Sequence, residues 1–401
     1  MEVKGDRFIL EQENQEIKKQ VSDDEINEKY LRGEIRIITE QARYPLDTIK
    51  GMLESGKYNL NPEYQRRKRW SVEQKSKLIE SFIINVPIPP IFLYEVDYAK
   101  YEVMDGLQRL TAIDDFYKGM FELEGLEEWP ELNGKRYNTL PIKVKEGIDR
   151  RYLSSIILLN ETAKTEENAD FLKQIVFGRL NSGGDKLTPQ EIRNALYPGK
   201  FNKFCIDLSE NDNFRKLWKF PIIKKDINGS IENENELLGS GDNYRKMEDV
   251  ELVLRYFAYR HLSSMSSLSQ ESFLDRFLIQ ANKFDDETLH GLRQEFEEAT
   301  SLLYKIFQDE AFLMPSGTRS KVTPTKTIYD PLMQSISKVL DKKILLLKKT
   351  KELKENKFSN QEDLETEGRD GKLYLFDGKY NGRSIVEKRI QYFDKLFQSI
   401  L

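Results

Sequence analysis

Asp105, Gln108 and Arg109 place a carboxylate, an amide and a guanidinium within five residues of one another, where a short apolar strand gives way to a helix. Those three groups suit phosphate chemistry. A guanidinium neutralises phosphate oxygens, an amide fixes a nucleotide or a water, and a carboxylate can ligate a divalent cation. The elements around them read clearly. Tyr101, Val103 and Met104 form a strand, Asp105 and Gly106 a turn, and Leu110, Ile113, Phe116 and Tyr117 recur at helical spacing. The first backbone N–H groups of a helix lack partners and stand at the positive end of its dipole, so such a junction receives anions. A plainer reading stays open, in which Asp105 caps the helix and Arg109 pairs with a nearby acid.

Two further segments extend the pattern. Ser71 and Gln74 fit a capping box for a helix beginning near Val72, with Leu78, Ile79, Phe82 and Ile83 as its apolar stripe. Pro87, Pro89 and Pro90 stop it, because proline removes a donor and forces the preceding residue extended. Ile91 to Tyr94 is the next strand, turned back by Asp97 to Lys100. Gln65, Arg66, Arg67, Lys68 and Arg69 precede the helix and read either as a solvated turn or as phosphate contacts. Later, Phe171, Leu172, Ile175, Val176 and Leu180 mark a helix ended by Asn181, Ser182, Gly183 and Gly184, a turn able to form an anion nest or simply to connect two helices. Thr188, Pro189 and Glu191 then start another helix as N-cap, N1 and N3.

Taken together, PEYQR with Trp70, VPIPPIFLYEV, MDGLQRLTAI and FGRLNSGGDKLTPQEIRNALY resemble the amino-terminal domain of GmrSD-type (type IV) restriction enzymes. That ParB/sulfiredoxin-like family is marked by a D-G-Q-Q-R motif. The likeness runs from Tyr44 to Phe201, and the closing LFDGKYNGRSIVEKRI is similar to the ends of stand-alone members. The resemblance implies a nucleoside triphosphate as ligand, hydrolysed by some members. By position, Asp105, Gly106, Gln108 and Arg109 would form the nucleotide-contacting motif, with Gln65 and Arg66 on the facing loop and Asn181 and Gly184 in the asparagine-glycine turn. Asp105, Gln108 and Arg109 would be the catalytic groups and Asp105 the Mg²⁺ ligand. Leu107 departs from the pattern, since it stands where the family has its first glutamine. A leucine neither bonds a phosphate nor orients a water, so hydrolysis is less secure than binding.

Composition narrows the classes. With 401 residues, 38 % hydrophobic and 33 % charged, the chain is expected to fold as two domains, without a membrane span or secretory leader. Cys205 is the sole cysteine and His261 and His290 the only histidines. A disulfide framework, a structural zinc site and an HNH nuclease, which many relatives carry, are therefore not expected, and a reducing cytoplasm fits. A net charge of -5 does not indicate a surface coated for nucleic acid, although Arg66, Arg67, Lys68 and Arg69 could contact DNA.

The expected fold class is α+β. A polar arm (1–36) precedes a ParB/sulfiredoxin-like nucleotide-binding domain (37–210), a surface loop (211–244) and a mostly α-helical carboxyl-terminal domain (245–401). Leu345 to Asn356 reads as one charged amphipathic helix, and Asn360 to Lys372 as disordered or exposed. Three functions follow. The first is an NTP-binding and NTP-hydrolysing regulator in a restriction or anti-phage system. The second is a DNA-binding or DNA-nicking protein, with Glu102 or Asp114 assisting Asp105. The third is a nucleotide sensor or scaffold for a separate effector protein.

Overall fold

A computed structural model describes residues 22–32, 37–60, 70–159, 175–176, 187–227, 231–239, 241–265, 268–314, 323–359, 364–368, 371–376, 378 and 382–401. Two compact units divide the chain between Leu187 and Thr188.

The first unit is α+β. Its elements are α1 (Asp23–Arg32), β1 (Thr39–Pro45), α2 (Ile49–Glu54), β2 (Tyr58–Asn59), α3 (Val72–Ile84), β3 (Ile91–Asp97), β4 (Lys100–Asp105), α4 (Leu107–Tyr117), α5 (Ile142–Asp149) and β5 (Tyr152–Leu158). The strands form one mixed sheet in the order β1-β5-β3-β4-β2. β1–β5 and β3–β4 are antiparallel, whereas β5–β3 and β4–β2 are parallel. Strands lie about 4.8 Å apart, so edges separated by four intervals would be about 19 Å apart in a flat sheet. Yet Tyr44 of β1 and Tyr58 of β2 have ring centroids 6.3 Å apart and hydroxyls 3.4 Å apart. The sheet is therefore curled, bringing its two edges together through these side chains.

Local sequence dictates the helix starts. At Ser71 the capping box is complete: Ser71 Oγ accepts the Gln74 N–H and the Gln74 side chain accepts the Ser71 N–H. Asn85, left-handed at φ 62°, ends α3. The apolar faces of α3 and α4 join Ile91, Leu93, Val103, Leu153 and Ile157 of the sheet in one core. The buried Glu80 carboxylate of α3 accepts the N–H groups of Glu127, Glu128 and Trp129 at 2.8–3.3 Å, and Ser76 Oγ accepts that of Glu124. An apolar residue at either place would remove these acceptors from partly buried bonds. The excursion after α4 is thereby held against α3.

The second unit is helical. Its elements are α6 (Pro189–Leu196), α7 (Lys200–Leu208), α8 (Asp212–Leu217), α9 (Glu234–Gly239), α10 (Asp242–Arg245), α11 (Glu248–Ala258), α12 (Gln270–Ala281), α13 (Asp286–Phe307), α14 (Lys326–Ser337), α15 (Lys343–Lys348), α16 (Thr350–Asn356), the hairpin β6 (Glu365–Gly368) and β7 (Gly371–Tyr374), and α17 (Arg383–Gln398). Thr188 and Glu191 complete the expected capping box of α6. The apolar faces of α11 to α14 and α17 all enter one core. Cys205 is buried there, and burial raises its thiol pKa. His261 is partly buried beside Phe277, and His290 is exposed.

Four expectations change. Phe201, Phe204 and Leu208 pack in the helical core, so the compact boundary precedes α6 instead of falling in 211–244. That stretch is not one loop, because it carries α8, α9 and α10. The expected helix from Leu345 to Asn356 is two helices, broken at Lys349, whose φ and ψ of -103° and 18° are not helical. The stretch 360–372, expected to be disordered or exposed, is not all irregular, since it contains β6 and the start of β7. Of the arm 1–36, the described part is α1 with Ser22 before it.

Lys357 gives this unit a pH dependence. Its buried ammonium donates to the carbonyls of Glu310 and Ala311 at 2.8 and 2.7 Å and lies over the Phe307 and Phe358 rings. Burial lowers its pKa from 10.5 to about 7. Between those values the unfolded chain binds a proton that the folded chain does not, so this group makes stability rise with pH across that window. From about pH 7.5 to 9.5, wild type should gain about 2 kcal/mol relative to Lys357→Met. Urea unfolding of both proteins at the two pH values measures the difference, and equal slopes would contradict a displaced lysine.

Candidate functional site

The β4–α4 junction places the motif as the sequence indicates. Asp105 is the last residue of β4, Gly106 the N-cap of α4, and Leu107 to Arg109 its first turn. Gly106 sits at φ 95°, a left-handed conformation that disfavours side chains. It provides no side-chain cap, and the first hydrogen bond across the junction is Leu110 N–H to Gly106 O. The three preceding N–H groups cannot be served within the helix. An anion seated there would meet both those donors and the dipole.

The side chains around the turn have divided roles. Arg109 Nη2 donates to Asp105 Oδ2 at 2.5 Å, while Nη1 donates to the carbonyls of Pro89 and, at 3.2 Å, Pro90. Its guanidinium is largely buried, whereas the Asp105 carboxylate is about half exposed (12 % against 47 %). Arg109 thus braces the proline segment before β3 against the turn, so the pairing half of the plainer reading is realised, whereas the N-cap position is Gly106 and not Asp105. Gln108 Oε1 accepts the Trp70 N–H at 3.1 Å, tying the turn to the residue that follows 61–69. Leu107 points into the core with Leu110, Ile113 and Phe116.

Gln65, Arg66, Arg67, Lys68, Arg69, Asn181 and Gly184 lie outside the described residues, as do Phe171, Leu172 and Leu180. Glu102 is buried on β4, and Asp114 pairs with Lys118 at 2.7 Å. Among the described residues no group of three His, Cys, Asp or Glu side chains could hold a metal. One half-exposed carboxylate still fits Mg²⁺, which keeps several waters and is commonly shared between one or two carboxylates and substrate phosphates.

Sequence reading missed the buried arginines. Arg215 and Asp249 form an ion pair at 3.2 Å beside a cleft of about 300 Å³ lined also by Trp218, Phe220 and Tyr244. Arg193 joins Glu251 and Asp275. An arginine in sequence looks like surface, and only its distant carboxylate partner marks it as core.

A curled mixed sheet with a strand–turn–helix junction at Asp105–Arg109, followed by a helical unit, defines an α+β protein of two parts. Residues 49–198 match the model of the GmrSD restriction endonuclease N-terminal domain, and this segment belongs to that family of restriction-system domains. The match contains the whole β4–α4 junction and extends through α6. No curated protein and no solved structure matches the chain. Among the described residues no helix is long and apolar enough to cross a membrane.

Proposed function

We propose that the amino-terminal unit binds a nucleoside triphosphate at the β4–α4 junction, as the regulatory component of a restriction or anti-phage system. The observation that carries this reading is the N-terminus of α4, where the N-cap Gly106 has no side chain to cap the helix and a half-exposed Asp105 stands beside it. The family match supports the same assignment. Asp105 would share Mg²⁺ with the phosphates, and the ion would neutralise charge on them. Arg109 acts as a positioning residue, fixing the Asp105 carboxylate and the facing proline carbonyls. Gln108 holds the chain at Trp70, next to the basic run 66–69.

A sensor that turns nucleotide over slowly is favoured over an efficient hydrolase by two details. Leu107 is packed in the core, and the Gln108 carbonyl oxygen is engaged by Trp70. Leu107 has no amide to orient an attacking water, and Gln108 has part of its hydrogen-bonding capacity committed to Trp70.

Calorimetric titration with ATP, GTP, CTP and UTP plus Mg²⁺ tests the proposal on wild type and Gln108→Glu. Glutamate keeps an acceptor for Trp70 and suits a helix N-terminus, so the variant should fold. Its added negative charge should weaken nucleotide binding at least tenfold, about 1.4 kcal/mol. Absence of binding to all four nucleotides, or binding indifferent to the substitution, would overturn the assignment. Phosphate release in the presence of the bound nucleotide, with Asp105→Ala as control, then separates sensor from hydrolase.

A further inference from the structure

Two exposed surfaces carry opposite charge around apolar side chains. In the helical unit, seven lysines against Asp341 and Glu352 give 338–354 a net charge of +5. Ile344, 70 % exposed, stands among them with Leu345 and Leu347 also exposed. Leu346 and Leu353 are fully buried and anchor α15 and α16 to the core, so this face is fixed in place. In the first unit, Glu122, Glu124, Glu127, Glu128 and Glu131 give 119–134 a net charge of -5, with no basic residue in the stretch. Met120, 70 % exposed, and Trp129, 40 % exposed, accompany them. The three N–H groups gathered by Glu80, together with the bond from Leu126 N–H to Asn133 Oδ1, hold this loop in shape before any partner arrives.

We infer that the acidic Met120–Trp129 loop of one copy docks on the lysine-rich α15–α16 face of a second copy of this chain. The two stretches are opposite in sign and equal in formal charge, and each surface offers the other apolar groups to bury. Glu122 and Glu127 are already paired to Arg136 and Lys77, and Lys338 and Lys343 to Asp394 and Glu298. Tryptophan and methionine are favoured at interface centres, with charges at the rim steering the encounter. Two lysine faces repel each other, as do two acidic loops, so the contact is head-to-tail. A nucleic acid would meet the lysines but would leave Ile344, Leu345 and Leu347 against phosphate, which gives them no favourable contact. The loop is already ordered, so little conformational entropy is lost on docking.

Sedimentation velocity on the full chain tests this at about 50 and about 500 mM salt, over about 1 to 100 µM protein, the range of weak transient contacts. Wild type should associate as concentration rises, at least tenfold more weakly at the higher salt. Lys342→Glu with Lys348→Glu, and separately Glu128→Lys with Glu131→Lys, should each remain monomeric. These substitutions lie on the surface, and a thermal melt checks each fold. Mixing the two doubly substituted proteins should restore association as one-to-one pairs, because the unaltered acidic loop of the lysine-face variant meets the unaltered lysine face of the loop variant. Wild type that stays monomeric throughout, self-association indifferent to both reversals, or failure of the mixture to recover would each overturn the inference.

Discussion

Alanine at position 106 is expected to lower the stability of the amino-terminal unit by about 3 kcal/mol and to weaken any ligand held at the turn. Two costs combine. A left-handed conformation at φ 95° costs an L-residue roughly 1–2 kcal/mol. The added Cβ would stand 2.3 Å from Ile91 Cγ2, far inside contact distance, and 3.3 Å from Arg109 Nη2. Relieving that clash in a packed core costs about 1–3 kcal/mol more. Ile91 is fully buried at the start of β3, so it can yield only by shifting the strand that the Pro89 and Pro90 carbonyls introduce. Urea unfolding measures the loss. A double-mutant cycle with Ile91→Ala reports part of the clash, because alanine removes Cγ2 but keeps Cβ at 2.9 Å, and the combined cost should fall below the sum. A Gly106→Ala cost under about 1 kcal/mol would mean that the turn does not require glycine.

Much of this site was legible because its determinants are local. The strand, the Asp-Gly turn, the helix start and both capping boxes follow from residues within four positions of one another. Leu107 was legible in part: it continues the stripe of Leu110, Ile113 and Phe116, and its place in the core follows from that spacing. What local reasoning could not reach were partners across long stretches of chain. Gln108 meets Trp70 from 38 positions away, and Arg109 reaches carbonyls 19 and 20 positions earlier. Nor does any glycine or proline announce the break at Lys349, where buried Leu346 and Leu353 hold the chain on both sides of a non-helical residue.

The helical unit should show its largest loss at Asp330. Its carboxylate, on α14, receives the Arg255 guanidinium of α11 through two bonds, one of them Nε to Oδ1 at 3.1 Å, and both residues are at least 95 % buried. The Tyr259 ring lies 4.7 Å from the guanidinium carbon. Asp330→Ala strands a positive charge in an apolar core, and the expected cost is about 3–5 kcal/mol. Replacing both partners, Arg255→Met with Asp330→Leu, should recover stability to within about 1–2 kcal/mol of wild type, since the penalty arises from the unpaired charge. Guanidinium unfolding of the three proteins distinguishes these outcomes. A single variant as stable as wild type would show that the pair contributes nothing to the core.

The curl of the five-stranded sheet bears on how the protein behaves in a crowded solution. A sheet normally offers two rows of unpaired backbone groups on which another chain can add a strand. Here one row is only the two residues of β2, and its Tyr58 is engaged by Tyr44 from the opposite side. The other belongs to β1, which presents exposed Glu40 and Arg43 and finishes in Pro45, a residue with no N–H to donate. Neither row is a good template for growth of the sheet. Aggregation by strand addition is thereby discouraged, and the protein can be concentrated at its place of action without the cross-β pairing that a flat, open sheet of the same strands would invite.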